Sequence, residues 1–420
     1  MSIKRNYFLL CLVPLYFMIM GLCLQPWSEI MTGLGRIMME PDFLITDYFV
    51  IGGPGAAFVN ASLVTLIAIL ILYLLKMNIT GTTISCCSLV FCFSLFGKNL
   101  LNIWTILMGV FLYARYHRTS VKRYIYIGLY GTSLSPIITQ IMQIGDLAVF
   151  PRLLLCIVIG NLIGFVLPPL ATHVSYAHKG YSLYNVGFAA GIIATIVMSV
   201  FKSFGITVES RSFWATGYNQ LAACMLGGLF LVMILLAYWH ERKQLFTHYR
   251  ALLASPGVAG TDYLMAFGPY TTLFSMAVNG LFATAFVLLV GGELNGPTIG
   301  SIMTVVGFGT TGKHLRNIAP IMMGVFLASL TKDWSIQDPS AMLALLLSTN
   351  LAPVAGEFGV IAGLIAGFLH SSVALNVSVV YSGMNLYNNG FAGGLVAMFL
   401  VPVIQSFLDR KARARGKISL

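Results

Sequence analysis

Two lysines stand where an apolar chain has least reason to place them. Lys98 follows Gly97 and Lys313 follows Gly312, each between two short apolar stretches. A charge inside a bilayer is costly, so an intramembrane lysine is a functional hypothesis by default. Each also precedes a helix start, where free backbone N–H groups concentrate positive potential. Such a pair would bind an anion or a polar carbonyl. The plainer alternative is a lysine at a chain reversal that snorkels to an interface. Asn102 and Asn317 follow one turn later on the same helix face. In the second copy His314 stands for Asn99 and Arg316 for Leu101, so that break is the more polar.

A second pair is Tyr184-Asn185 and Tyr387-Asn388, each opening a glycine-rich helix start. The asparagines can cap backbone donors and the glycines permit close helix packing. The functional alternative is a polar selectivity element with an aromatic wall. Glu357 is the only carboxylate in the apolar stretch 340–408, and its repeat counterpart is the neutral Gln140. It is a candidate proton or sodium coupling acid, or else an acid at the end of a span. Asp47 and Asp262 each precede Tyr and then Gly-Pro, and read as helix-start caps with a gating role as the alternative. His173, His178 and His370 have no companions at metal-ligand spacing. No phosphate loop, H-E-x-x-H or G-x-S-x-G motif occurs, so we expect no enzyme, cofactor, metal or ATP drive in this chain.

The elements that must hold these residues follow from composition. Of 420 residues, 58% are hydrophobic and 9% charged, against roughly 25% charged in soluble domains. That excludes a soluble catalytic domain and predicts an all-α polytopic membrane protein. The net charge of +11 fits basic cytoplasmic loops and not nucleic acid. Seven cysteines, an odd number, all lie in apolar stretches and read as small buried hydrophobes. The run from about Tyr7 to Leu24 is long for a signal peptide and reads as a retained first helix.

The chain is written twice. Thr46-Asp47-Tyr48 recurs as Thr261-Asp262-Tyr263 at a shift of 215, and Gly53-Pro54 as Gly268-Pro269. GKNLLNIWTILMGVFL (97–112) meets GKHLRNIAPIMMGVFL (312–327) with 11 of 16 positions identical. Thr132 to Pro136 aligns with Thr349 to Pro353, and LYNVGFAAG (183–191) with LYNNGFAGG (386–394). The halves are 1–212 and 213–420, the second ending in a basic tail, 409–420. Spans are expected near 7–25, 48–75, 124–143, 152–171 and 184–204, then 218–239, 263–290, 340–356, 358–376 and 384–406. Between the second and third span of each half lie two short pieces, 81–96 and 99–114, then 297–311 and 314–330. Each is shorter than the roughly 20 residues that a span needs, so each pair is expected to be a re-entrant hairpin. Five spans per half then invert the second repeat. With the N-terminus inside, 16 of the 24 basic residues fall inside and 5 outside, which orients both termini to the cytoplasm.

The doubled GKxLxNI…MGVFL and LYNxGFAxG blocks resemble a family of uncharacterised prokaryotic multispanning membrane proteins, a domain of unknown function. More distantly the chain is similar to urea transporters, which have two inverted halves of five spans and re-entrant pore helices. Their glycine-rich Tyr-Asn-Gly element resembles Tyr184-Asn185…Gly187 and Tyr387-Asn388…Gly390. Their paired Asn-Pro pore motif has no counterpart here, and Lys98 and Lys313 stand in its place. Were all short pieces to span, a seven-plus-seven chain would be similar to nucleobase and sulfate permeases. The expectation is a cytoplasmic-membrane transporter of a small polar or anionic solute, working by alternating access with a proton or sodium as coupling ion. Its other partner is the lipid bilayer, and the sequence leaves a homo-oligomer open. A passive urea-type channel and a non-transporting sensor or assembly subunit are the alternatives.

Overall fold

The computed structural model describes residues 3–144, 147–208 and 211–414. The end of the basic tail, 415–420, and hence Arg415 and Lys417, lies outside the described residues. The described chain is helical with no strand. Nine of its helices are long and apolar enough to cross a membrane.

The two halves carry corresponding elements in the same order. Ile3–Leu24 matches Asn219–Glu241, Pro54–Leu74 matches Pro269–Leu289, and Gly81–Phe93 matches Gly296–Gly307. Trp104–Tyr116 pairs with Leu315–Ser329, Val149–Ala177 with Val360–Val377, and Asn185–Ser203 with Asn388–Ala414. The connections after each first helix, expected as loops, contain helices Trp27–Met39 and Leu245–Leu253. Both are amphipathic, and their mixed polarity hid them from a search for apolar runs.

Four expected elements are divided. Each second span begins as a short helix, Tyr48–Ile51 or Tyr263–Phe267, and restarts at Pro54 or Pro269. The joint is Gly53 or Gly268, at φ +87° and +79°, a conformation that glycine adopts freely. Proline at the first helical position then loses no hydrogen bond. The expected span 124–143 is helix Ile125–Gly131, a 3₁₀ turn Thr132–Leu134, and helix Ser135–Met142. Its counterpart is broken at Ser348–Leu351. The recurring Thr-x-Leu-x-Pro block marks this break.

The two limbs of each short pair pack on different neighbours. Gly81–Phe93 packs against Gly296–Gly307, whereas Trp104–Tyr116 packs on Val149–Ala177 and Leu315–Ser329 on Val360–Val377. Gly109 and Gly324 explain the repeated MGVFL block: each lies against the backbone of the partner helix, at Asn161 and Leu364, an approach that a larger residue would block. With 13 and 12 residues, the two central helices are about 20 Å long, too short for an apolar core of about 30 Å. They run antiparallel: Gly81 meets Thr310, Cys92 meets Gly300, and Gly296 meets Leu95.

Candidate functional site

The central helices are started by acids from the opposite half. Asp262 caps Leu264 at 3.0 Å with one oxygen and accepts from Gly81 N at 2.9 Å with the other. Asp47 caps Phe49 and accepts from Ala215 N, both at 2.9 Å, and a methyl group built on Gly296 would fall 2.6 Å from its Oδ1. Both carboxylates therefore tie the halves together at helix N-termini, where negative charge is favoured.

Each central helix ends in a break that carries one of the lysines. Gly97 and Gly312 have φ of +113° and +138°, so the chain turns where a side chain would be strained. Asparagines satisfy the exposed backbone. Asn102 accepts from Asn99 N at 3.0 Å and reaches back to Gly97 O at 3.2 Å. Asn317 repeats this with His314 N at 2.9 Å and Gly312 O at 2.8 Å. Asn60 donates to Lys98 O at 3.0 Å and Asn279 to Lys313 O at 3.1 Å. A buried peptide group without a partner costs a lost hydrogen bond, so these amides make the breaks affordable. Of the sequence candidates, Asn317 is thus committed to the backbone, Asn102 is held there by both ends of its amide, and His314 Nε2 is held at 2.9 Å from Ser255 O.

The two lysines are fully buried and differ in one respect. Lys313 Nζ donates to Tyr184 Oη at 2.6 Å and Thr349 Oγ1 at 2.8 Å. It also lies 4.5 Å from the Tyr184 ring centre and 5.1 Å from that of Phe308, in cation–π range. The repeat counterparts are Tyr387, Thr132 and Phe93. Lys98 Nζ is 5.4 Å from the Phe93 ring centre but has no hydrogen-bond partner. It borders a cavity of about 10 Å³ lined by Val64, Ile71, Val90, Ile103, Leu129 and Thr132, about the room that one water needs.

Tyr184 and Tyr387 meet between the halves, ring centres 5.0 Å apart. Their helices cross at glycine: a methyl group on Gly390 would fall 2.8 Å from Gly187 Cα. The preceding loops are exchanged across the halves. Leu183 N donates to Asn350 O at 2.9 Å, and Leu386 N to Ser133 O at 3.1 Å, so each helical break is filled by the other repeat.

The remaining candidates lie apart from this centre. Asn185 and Asn388 donate to Ala171 O at 2.8 Å and Ala374 O at 2.9 Å, and accept from, or pair with, Tyr381 Oη on Asn388 and His178 on Asn185. They fasten helix ends. Glu357 is exposed at the last turn of Ala352–Phe358. One residue was missed. Asp42 is fully buried, and accepts from Tyr48 Oη at 2.8 Å and from Asn102 Nδ2 at 3.1 Å. Lying in a short loop outside the repeat blocks, it carried no sequence signal beyond being an acid.

The nine long apolar helices among the described residues are those of a multi-pass membrane protein. The chain belongs to the family described as "Protein of unknown function (DUF1576)", whose model matches residues 27–203 and 241–406. No curated protein and no solved structure matches it.

Proposed function

We propose that the protein is a transporter of a small polar or anionic solute, working by alternating access between two inverted repeats. The observation that carries this reading is the unequal state of two equivalent lysines: Lys313 is held by Tyr184 and Thr349, and Lys98 is unheld. The antiparallel central helices support inversion of the repeats, and crossed contacts between halves are what two pseudo-equivalent gates would use. In this reading the two clamps exchange. The second state has Lys98 on Tyr387 and Thr132, and Lys313 released. A buried amine without a partner costs free energy, which an anionic or carbonyl oxygen would recover. Both termini then face the cytoplasm, in the cell membrane, as the distribution of basic residues favours.

The test is uptake by proteoliposomes of labelled acetate, lactate, phosphate and urea, with and without proton and sodium gradients. Saturable uptake of an anion, lost in Lys98→Met, is expected. Uptake of none of the four above that of empty vesicles, or equal uptake by the variant, would contradict the reading.

A further inference from the structure

Asp42 is a carboxyl group with no cation beside it. Among the described residues the one ion pair is His248 with Glu241, far along the chain. Around Asp42 the side chains come from three elements. Tyr48 and Asn102 donate to its two oxygens, while Thr139 Oγ1 accepts from its backbone N–H at 3.2 Å and Gln140 Nε2 donates to its carbonyl at 3.2 Å. The titratable neighbours are Tyr48 and Glu40, and Arg211 faces Glu40. A carboxylate so enclosed has lost its water and gained no counter-charge, which favours the protonated form.

Position gives this group its meaning. The same Asn102 amide that meets Asp42 also closes the break at Gly97, beside the unheld Lys98. Thr139 and Gln140 belong to Ser135–Met142, which continues from the break at Thr132–Leu134. Asp42 therefore joins both breaks of the first half. The second half has Gly257 at the matching place, with no side chain to do the same.

We propose that Asp42 binds the coupling proton, and that its protonated form latches the first break. This deepens the transport reading and rests on it, assigning the coupling ion to one site in one half. The surroundings give sodium no cage: one hydroxyl and one amide N–H meet the carboxyl oxygens, whereas a metal cation needs several converging oxygen acceptors. Loss of the proton places a charge without a counter-charge in an enclosed site, and hydrating it requires residues 40–47 to part from Asn102. Asp42 lies in a connection outside the spanning helices. Burial pushes its carboxyl up to about 8, against hydrogen bonds, that of Tyr48 first, that favour the charged form.

The experiment uses the full chain in lipid nanodiscs and needs no transported solute. Infrared difference spectra follow the protonated carboxyl, while hydrogen exchange follows the amides of residues 94–103. Wild type is expected to lose one carboxyl band with a midpoint near pH 8 and, at the same midpoint, amide protection beyond the intrinsic pH effect. Asp42→Asn should lack the band and keep the protection. Tyr48→Phe, which keeps the acid but removes a donor to its charged form, should move the midpoint up. A wild-type band that Asp42→Asn leaves in place, or protection that does not follow the band, would overturn the proposal. Because neither readout involves flux, Asp42 can fail here while transport stands, and vesicles that take up no solute leave this titration intact.

Discussion

Lys313 Nζ lies 2.6 Å from Tyr184 Oη, a contact that joins the break of one repeat to the helix start of the other. Its counterpart between Lys98 and Tyr387 is unmade, although every residue it needs is present. A sequence repeat imposes equal parts and not equal states. Under the proposed exchange of clamps, the difference between the two is conformational.

That difference predicts stability changes of opposite sign. Lys98→Met removes a buried, unpartnered amine and should stabilise the protein by about 1–3 kcal/mol, the usual cost of an unsatisfied group. Lys313→Met strands the hydroxyls of Tyr184 and Thr349 and should destabilise by a similar about 1–3 kcal/mol. Thermal unfolding in nanodiscs checks both, and equal shifts would remove the distinction between the two sites.

The tyrosines should separate stability from flux. Tyr387→Phe removes a hydroxyl that holds neither lysine in this state, so the melting temperature should barely move while uptake in the proteoliposome assay falls. Tyr184→Phe removes a bond to an amine, and should destabilise by about 1.5–3 kcal/mol. Equivalent effects on both measurements would assign both rings to packing alone.

The crossed acids should behave as ties between the halves. Asp47→Ala or Asp262→Ala loses a cap worth about 0.5–2 kcal/mol, and also leaves Ala215 N or Gly81 N without its acceptor. The loss should exceed that of an ordinary cap. Limited proteolysis of the two variants should cut sooner within residues 211–218 for Asp47, and near residues 76–81 for Asp262. Unaltered cleavage at both places would show the ties to be weak.

Asp42 gives stability a defined pH dependence. Its folded value of about 8 lies above the reference of 3.8, so the folded state holds a proton that the unfolded state releases. Its contribution is fully present below 3.8 and is lost as pH rises towards 8, by about 1.4 kcal/mol per pH unit. Melting temperatures of wild type minus those of Asp42→Asn should fall across that window and level off above it. A flat difference would mean that Asp42 is ionised throughout.

Much of the frame was legible because each repeat block has a physical job that only certain residues perform. Gly-Pro sits where a helix restarts, MGVFL where a glycine admits a neighbouring backbone, and LYNxGFAxG where two helices cross at Gly187 and Gly390. The lysines were legible as charges out of place. What spacing could not convey was partnership: His314 and Asn317 look like ligands in a list, yet spend their hydrogen bonds on the backbone, and Asn102 divides its own between the backbone and Asp42. The packing neighbours of the short helices were hidden for the same reason, since short length is local and the choice of partner is not. Asp42 was invisible because its burial comes from segments some 60 to 100 residues away, at Asn102, Thr139 and Gln140.

The exchange of clamps is tested most directly by an experimental structure of the Tyr184→Phe protein in nanodiscs. With its own clamp weakened, Lys313 should be released. Lys98 Nζ should then lie within hydrogen-bond distance of Tyr387 Oη and Thr132 Oγ1. A structure in which Lys313 is freed and Lys98 still faces Val64, Val90 and Leu129 would contradict the account.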